Sequence, residues 1–179
     1  MPSCRTNPVL GATVNVIGTL NVFEAARAAS IDRVVYASSA AVHGPPTGAP
    51  GHACRENESL DCRTHYGVFK QANEGTARIM YHDYGLSSVG LRPFTVYGVG
   101  RDFGLTSGPT TAIKSALLDQ PFSIGFRGPT DFQFVSDVAK IFVRCIDEGP
   151  EGAHVYNIHG TATTVQNVVE IIDSILPLE

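Results

Sequence analysis

The chain has no CxxC pair and no HxH or HxxxH spacing, so neither a dithiol motif nor a zinc site is written into it. Its four cysteines, Cys4, Cys54, Cys62 and Cys145, lie far apart and read as free thiols of a reducing compartment. No basic tract occurs and the formal net charge is -4, which gives no electrostatic reason to expect nucleic acid as a partner. The apolar runs are short and broken by Gly, Thr or charge, so no membrane span is expected. The opening residues, MPSCRTNPVL, lack the apolar core and cleavage pattern of a secretory signal, which makes the cytoplasm the default location. No internal repeat and no low-complexity stretch is present.

Hydrophobic residues make up 43% and charged residues 17% of 179 positions, enough for one domain with a proper core. Helical and strand-like segments alternate, as in a parallel sheet covered by helices. A helix is expected over 9–29, with Val16, Leu20 and Phe23 along one face. Arg33 to Ala37 is a short apolar run suited to a buried parallel strand. It ends in Ser38 and Ser39, which places these hydroxyls at the carboxyl edge of the sheet, where open α/β folds bind ligands.

Residues 44–62, rich in Pro, Gly and polar side chains, read as a surface loop over that edge. A second long helix is expected over about 64–84, with Phe69, Ala72, Ile79 and Met80 at helical spacing and Gly85 ending it. A strand at 87–91 and an irregular glycine-containing segment over 92–109 follow. Beyond these the pattern predicts a helix over 110–119, a strand near 122–126 and a helix starting near Asp137. A strand at 155–158 and a last helix over 165–176, capped by Thr163 and Thr164, complete it. No GxGxxG or GxxGxxG occurs anywhere, and the first residues already read as helical. A nucleotide-binding α/β domain opens instead with a strand, a glycine-rich turn and a helix. The chain therefore reads as starting in the middle of such a fold.

Tyr66 and Lys70 stand at i and i+4, on one face of the first turns of the second long helix. A phenol titrates near pH 10 and is a poor base at neutral pH unless something stabilises the phenolate. A neighbouring ammonium and the positive end of a helix both do so. The result suits general-base work on an alcohol. On its own the spacing is also that of an ordinary exposed helix pair. Ser39, one crossover upstream at a strand end, adds a hydroxyl able to share the substrate oxygen and polarise a forming carbonyl.

Six segments in order carry a resemblance to the extended short-chain dehydrogenases, the family of NAD(P)-dependent sugar epimerases and dehydratases. They are Asn15 to Thr19 leading into Glu24 to Arg27; Ser38 to Gly44; Tyr66 to Lys70 with Glu74; Leu91 to Gly98 with Gly100 and Arg101; Asp131 to Ala139; and Tyr156 to Ile158. The fold implied is a partial Rossmann-like, doubly wound parallel sheet with helices on both faces. Residues 1–92 would carry the catalytic Ser and YxxxK, and 93–179 a small substrate-binding region interleaved with the last Rossmann elements.

The resemblance makes Ser39, Tyr66 and Lys70 the catalytic residues, with Lys70 also bonding the nicotinamide ribose. It places Pro93, Phe94 and Val96 near the nicotinamide of NAD or NADP. Ser39, Ala40, Thr95, Arg101 and Arg127 are the candidate substrate contacts, and no metal is implied. The implied substrate is a sugar or sugar-nucleotide alcohol, and a homo-oligomer is expected.

The sequence also departs from the family's pattern. Dehydratases of the family carry Asp and Glu directly after the catalytic Ser/Thr, where this chain has Ala40 and Ala41. Epimerisation or simple oxidation and reduction is therefore expected, not water loss. Thr95 stands where Asn is common, Thr130 where Arg is, His43 where Tyr is usual, and Phe69 where a small residue is. The segment bearing the glycine loop is not found in the sequence, so weak cofactor binding by this chain alone is expected. The alternative is an inactive remnant that serves only as a folded or oligomerising domain.

Overall fold

A computed structural model describes residues 2–45, 54–58 and 60–176. Its contacts divide the chain into two compact units, 1–93 with 140–158, and 94–139 with 159–179.

The first unit is built on a three-stranded, wholly parallel sheet in the order β1-β2-β5: Arg33–Ala37, Ser87–Arg92 and Ala153–Asn157. All six residues of β2 are buried, as a central parallel strand requires. The register sets Tyr36 against Gly90 and Ala37 against Leu91, so β1 and β2 end together at one edge. Two long helices precede and follow β1. The first runs as α2 (Pro8–Ala12), a π-helical turn (Thr13–Ile17) and α3 (Gly18–Ala28), after a short α1 (Pro2–Thr6). The second is α4 (His65–Tyr84). Phe23, Ala26, Val34, Tyr36, Ala77, Met80 and Leu86 form the core between α3, α4 and β1.

Both ends of α4 follow from local chemistry. Thr64 is the N-cap, its hydroxyl accepting from the amide of Gly67 at 3.0 Å. Gly85 closes the helix in the left-handed conformation, φ 68°, which costs a glycine nothing. The buried face is not the one that apolar spacing suggests. Ile79 is 57% exposed and Ala72 is exposed, whereas Asn73 and Glu74 are buried beside Ala77 and Met80. Likewise Leu20 is 38% exposed, and Phe23 and Ala26 are the residues that enter the core.

By length and mean hydropathy alone, the helix Pro8–Ala28 is long and apolar enough to cross a membrane, a test that core helices of soluble proteins also pass. Gly11, Thr13 and Gly18 interrupt its apolar residues without lowering the average enough to matter.

The second unit holds a mixed sheet in the order β3-β4-β6: Thr95–Tyr97, Pro129–Phe134 and Thr161–Thr164. β3 and β4 are parallel, and β4 and β6 are antiparallel. Helices α5 (Gly108–Leu117) and α7 (Val165–Ile175) pack against each other, and Thr164 caps α7 by accepting from the amide of Asn167. Helix α6 (Val135–Glu148) begins two residues before the expected start.

One expected strand is absent. Residues 121–127 form no strand, and Phe122 and Ile124 instead line a groove with Ala112, Ala116, Val169 and Ile172 of α5 and α7. The strand lies at 129–134, where it finds two partners, β3 and β6.

Candidate active site

At the carboxyl edge of the parallel sheet, β1 runs directly into Ser38 and Ser39, which are 1% and 8% exposed. Ser39 is extended and caps a 3-10 turn at Ala40–Val42, its oxygen accepting from the amide of Ala41 at 3.2 Å. That bond uses a lone pair and leaves the hydroxyl proton to donate. The amide of Ala40 donates to the carbonyl of Pro93, tying the turn to the end of β2.

The start of α4 presses on this turn. A Cβ on Gly67 would lie 2.5 Å from the carbonyl oxygen of Ala41, so only glycine allows the approach. The same first turns bring the half-buried Tyr66 and Lys70 to the strand end. The Lys70 ammonium donates to the carbonyl of Ala37 at 2.8 Å and lies over the Tyr66 ring, 5.5 Å from its centroid. Burial pushes the Lys70 amine below its usual value, while the Cys4 thiol opposes the shift. One of three ammonium protons is spent on Ala37, and two remain for other acceptors.

Behind these groups lies a buried polar network that sequence reasoning did not assemble. Glu74 accepts from Arg92 through Nε to Oε1 and Nη2 to Oε2, both at 2.8 Å, and from the Ser38 hydroxyl at 2.5 Å. The remaining Arg92 nitrogen donates to the carbonyl of Glu56 and lies 3.3 Å from Nε2 of His43. That same His43 nitrogen is 3.0 Å from Oδ1 of Asn157. Of the expected loop 44–62, residues 46–53 and 59 lie outside the described residues. Asn15, on the π-helical turn, donates to the carbonyl of Gly11 at 2.9 Å and reaches toward Cys4, another local feature that apolar spacing did not reveal.

Within the second unit, Phe94 is 50% exposed and its amide donates to Oε1 of the buried Gln133. Val96 is half-buried in β3. Thr95 is 1% exposed, and its hydroxyl meets that of Thr130 at 2.8 Å. Arg101 is turned into its own loop, donating to the carbonyl of Phe103 and to Thr106. Arg127 is exposed and makes no hydrogen bond or ion pair among the described residues. Asp131 receives the amide of Gly160 and the side-chain amide of Gln133.

A sequence model described as the NAD dependent epimerase/dehydratase family matches residues 1–158. The chain belongs to that family. It is 33% identical to the UDP-glucose 4-epimerase of Mycolicibacterium smegmatis over 151 residues, covering 82% of this chain and 46% of that protein. The solved UDP-glucose 4-epimerase of Thermus thermophilus, complexed with NAD, superposes with a TM-score of 0.86 at 25% identity, covering 99% of this chain and 58% of that one. An L-threonine dehydrogenase from Cupriavidus necator in its holo form gives 0.87 at 21% identity, over 99% and 59%, and so shares the fold. The chain spans about half the length of the relatives it matches. The Rossmann-like α/β fold read from the sequence is thus shown, and two of these three relatives are UDP-glucose 4-epimerases.

Proposed function

We propose that this chain carries the catalytic centre of an NAD(P)-dependent epimerase or dehydrogenase acting on a hydroxyl of a sugar or sugar nucleotide. The observation that carries the reading is the Lys70 ammonium, fixed on the Ala37 carbonyl and over the Tyr66 ring, at a parallel strand end that continues into Ser39. The donors fit the nicotinamide end of the cofactor. Lys70 keeps two protons for ribose hydroxyls, and Ser39 keeps one for a substrate oxygen. No GxGxxG in the sequence offers amides to a pyrophosphate.

NAD(P), when bound, supplies a hydride acceptor. The chain's own residues handle the proton. Tyr66, as phenolate, takes it from the substrate hydroxyl, and the nearby ammonium lowers the cost of that phenolate. Ser39 donates to the same oxygen as its carbonyl character grows. Ala40 and Ala41 offer no acid or base, so water elimination is not part of the chemistry. Retention of the ketone in the site would make the chain an epimerase, and its release a dehydrogenase.

The test is turnover of UDP-sugars and free sugars at saturating NAD or NADP, followed by NADH absorbance and by NMR of the sugar. Tyr66→Phe should lower the rate by about 10²- to 10⁴-fold. An undiminished rate in that variant overturns the assignment.

A second reading, a folded domain without turnover, is favoured by the apolar stripe along Pro8–Ala28. Val9, Val14 and Val22 are 78%, 64% and 57% exposed there. Sedimentation that shows multimers, with no turnover of any substrate, would support it.

A further inference from the structure

The catalytic reading assigns work to Ser39 and none to Ser38, yet Ser38 is the more deeply buried of the two, at 1% exposure. Among the described residues its hydroxyl has one partner, the Glu74 carboxylate at 2.5 Å. That carboxylate is itself held by both prongs of the Arg92 guanidinium, a planar, bidentate fit. Ser38 and Arg92 follow or end neighbouring strands in register, while Glu74 stands on α4 one turn beyond Lys70. The carbonyl that receives the Lys70 ammonium belongs to Ala37, the residue directly before Ser38. A rigid peptide therefore links the Glu74 bond on one side to the Lys70 bond on the other.

We propose that Ser38 is a positioning residue: by bonding the Glu74 carboxylate that Arg92 anchors, it fixes the Ala37 carbonyl as the acceptor for the Lys70 ammonium. The inference rests on the reading of Tyr66 and Lys70 as the reacting pair. It explains why two consecutive serines end β1. Ser39 faces chemistry, and Ser38 ties the strand end to the helix that carries Lys70. Losing the Ser38 hydroxyl leaves the Glu74–Arg92 pair intact but loosens the peptide before it, which then keeps only its pairing with β2. Among the described residues, the Cys4 thiol on α1 and the Tyr66 phenol on its own helix lie near the Lys70 amine.

The test is an NMR titration of 13Cε-lysine protein as the full chain. Three lysines, Lys70, Lys114 and Lys140, give three signals, assigned with Lys114→Arg and Lys140→Arg. In Ser38→Ala the Lys70 midpoint should fall further by about 0.5 to 1 unit, because the ammonium loses a fixed acceptor. Lys114 and Lys140 should not move, and Ser38→Thr, which keeps the hydroxyl, should restore the wild-type value. If Ser38→Ala fails to fold, Ser38→Cys keeps the shape with a weaker donor and should give a smaller fall. An unchanged Lys70 midpoint in a folded Ser38 variant overturns the inference, even if unfolding shows lost stability. The titration needs neither cofactor nor substrate. A failed catalytic reading thus leaves it readable, and a failed titration leaves the catalytic reading standing.

Discussion

Arg92 and Glu74 meet through two hydrogen bonds of 2.8 Å, with their side chains 2% and 1% exposed. Removing one partner leaves an uncompensated buried charge, so Glu74→Ala or Arg92→Ala should each cost about 3–5 kcal/mol. Replacing both with apolar residues of similar volume, Glu74→Leu with Arg92→Met, should cost less than either single change. Urea unfolding checks this, and a double variant as unstable as the sum of the singles would contradict it.

Two glycines of α4 should respond with opposite signs. A Cβ on Gly67 meets the Ala41 carbonyl at 2.5 Å, so Gly67→Ala should destabilise by about 1–3 kcal/mol and loosen the Ser39 turn. At Gly75 the nearest contact is 3.8 Å, from the end of Arg78. Gly75→Ala should therefore stabilise the helix by about 0.5–1 kcal/mol. Thermal melts of the two variants decide it.

These relationships show where the sequence is readable. The ends of α4, the strand at 33–37 and the two serines at its edge follow from caps, glycine and short-range apolar runs. The buried face of α4 does not, because its middle is polar: Asn73 and Glu74 enter the interior, and the partners of Glu74, Ser38 and Arg92, lie 36 and 18 residues away. No local period encodes such a pairing. The strand expected near 122–126 fails for the converse reason. Phe122 and Ile124 line a groove with α5 and α7 in place of pairing in a sheet, and Phe122 stays 47% exposed. Meanwhile PTDFQF at 129–134 looks polar and becomes a strand only through β3 and β6. The π-helical turn at Thr13–Ile17 carries no compositional mark at all.

The pH response of Lys70 follows from its burial. Its amine titrates below the ordinary value of 10.5, so the folded chain holds fewer protons than the unfolded one between the two midpoints. Stability should rise with pH across that window, as the penalty for a buried ammonium is relieved. Below the window the penalty is constant. Lys70→Met should remove that part of the slope, and an identical pH profile of stability in the variant would contradict the sign.

Ala40 and Ala41 predict a reaction without water loss. Incubating the chain with NAD and a nucleotide sugar, followed by NMR, should yield no 4-keto-6-deoxy product. Detecting that product would show that another acid and base stand in for the two alanines.

The most direct measurement is saturation-transfer NMR with NAD and NADP on the intact chain, paired with calorimetry. Affinity should be weak, on the order of millimolar, since few contacts must offset the entropy of binding. Saturation should fall on the nicotinamide ring and its ribose and not on the adenine, and Lys70→Met should abolish it. Micromolar binding, or saturation centred on the adenine and unchanged in Lys70→Met, would contradict the placement of the nicotinamide end at Ser39, Tyr66 and Lys70.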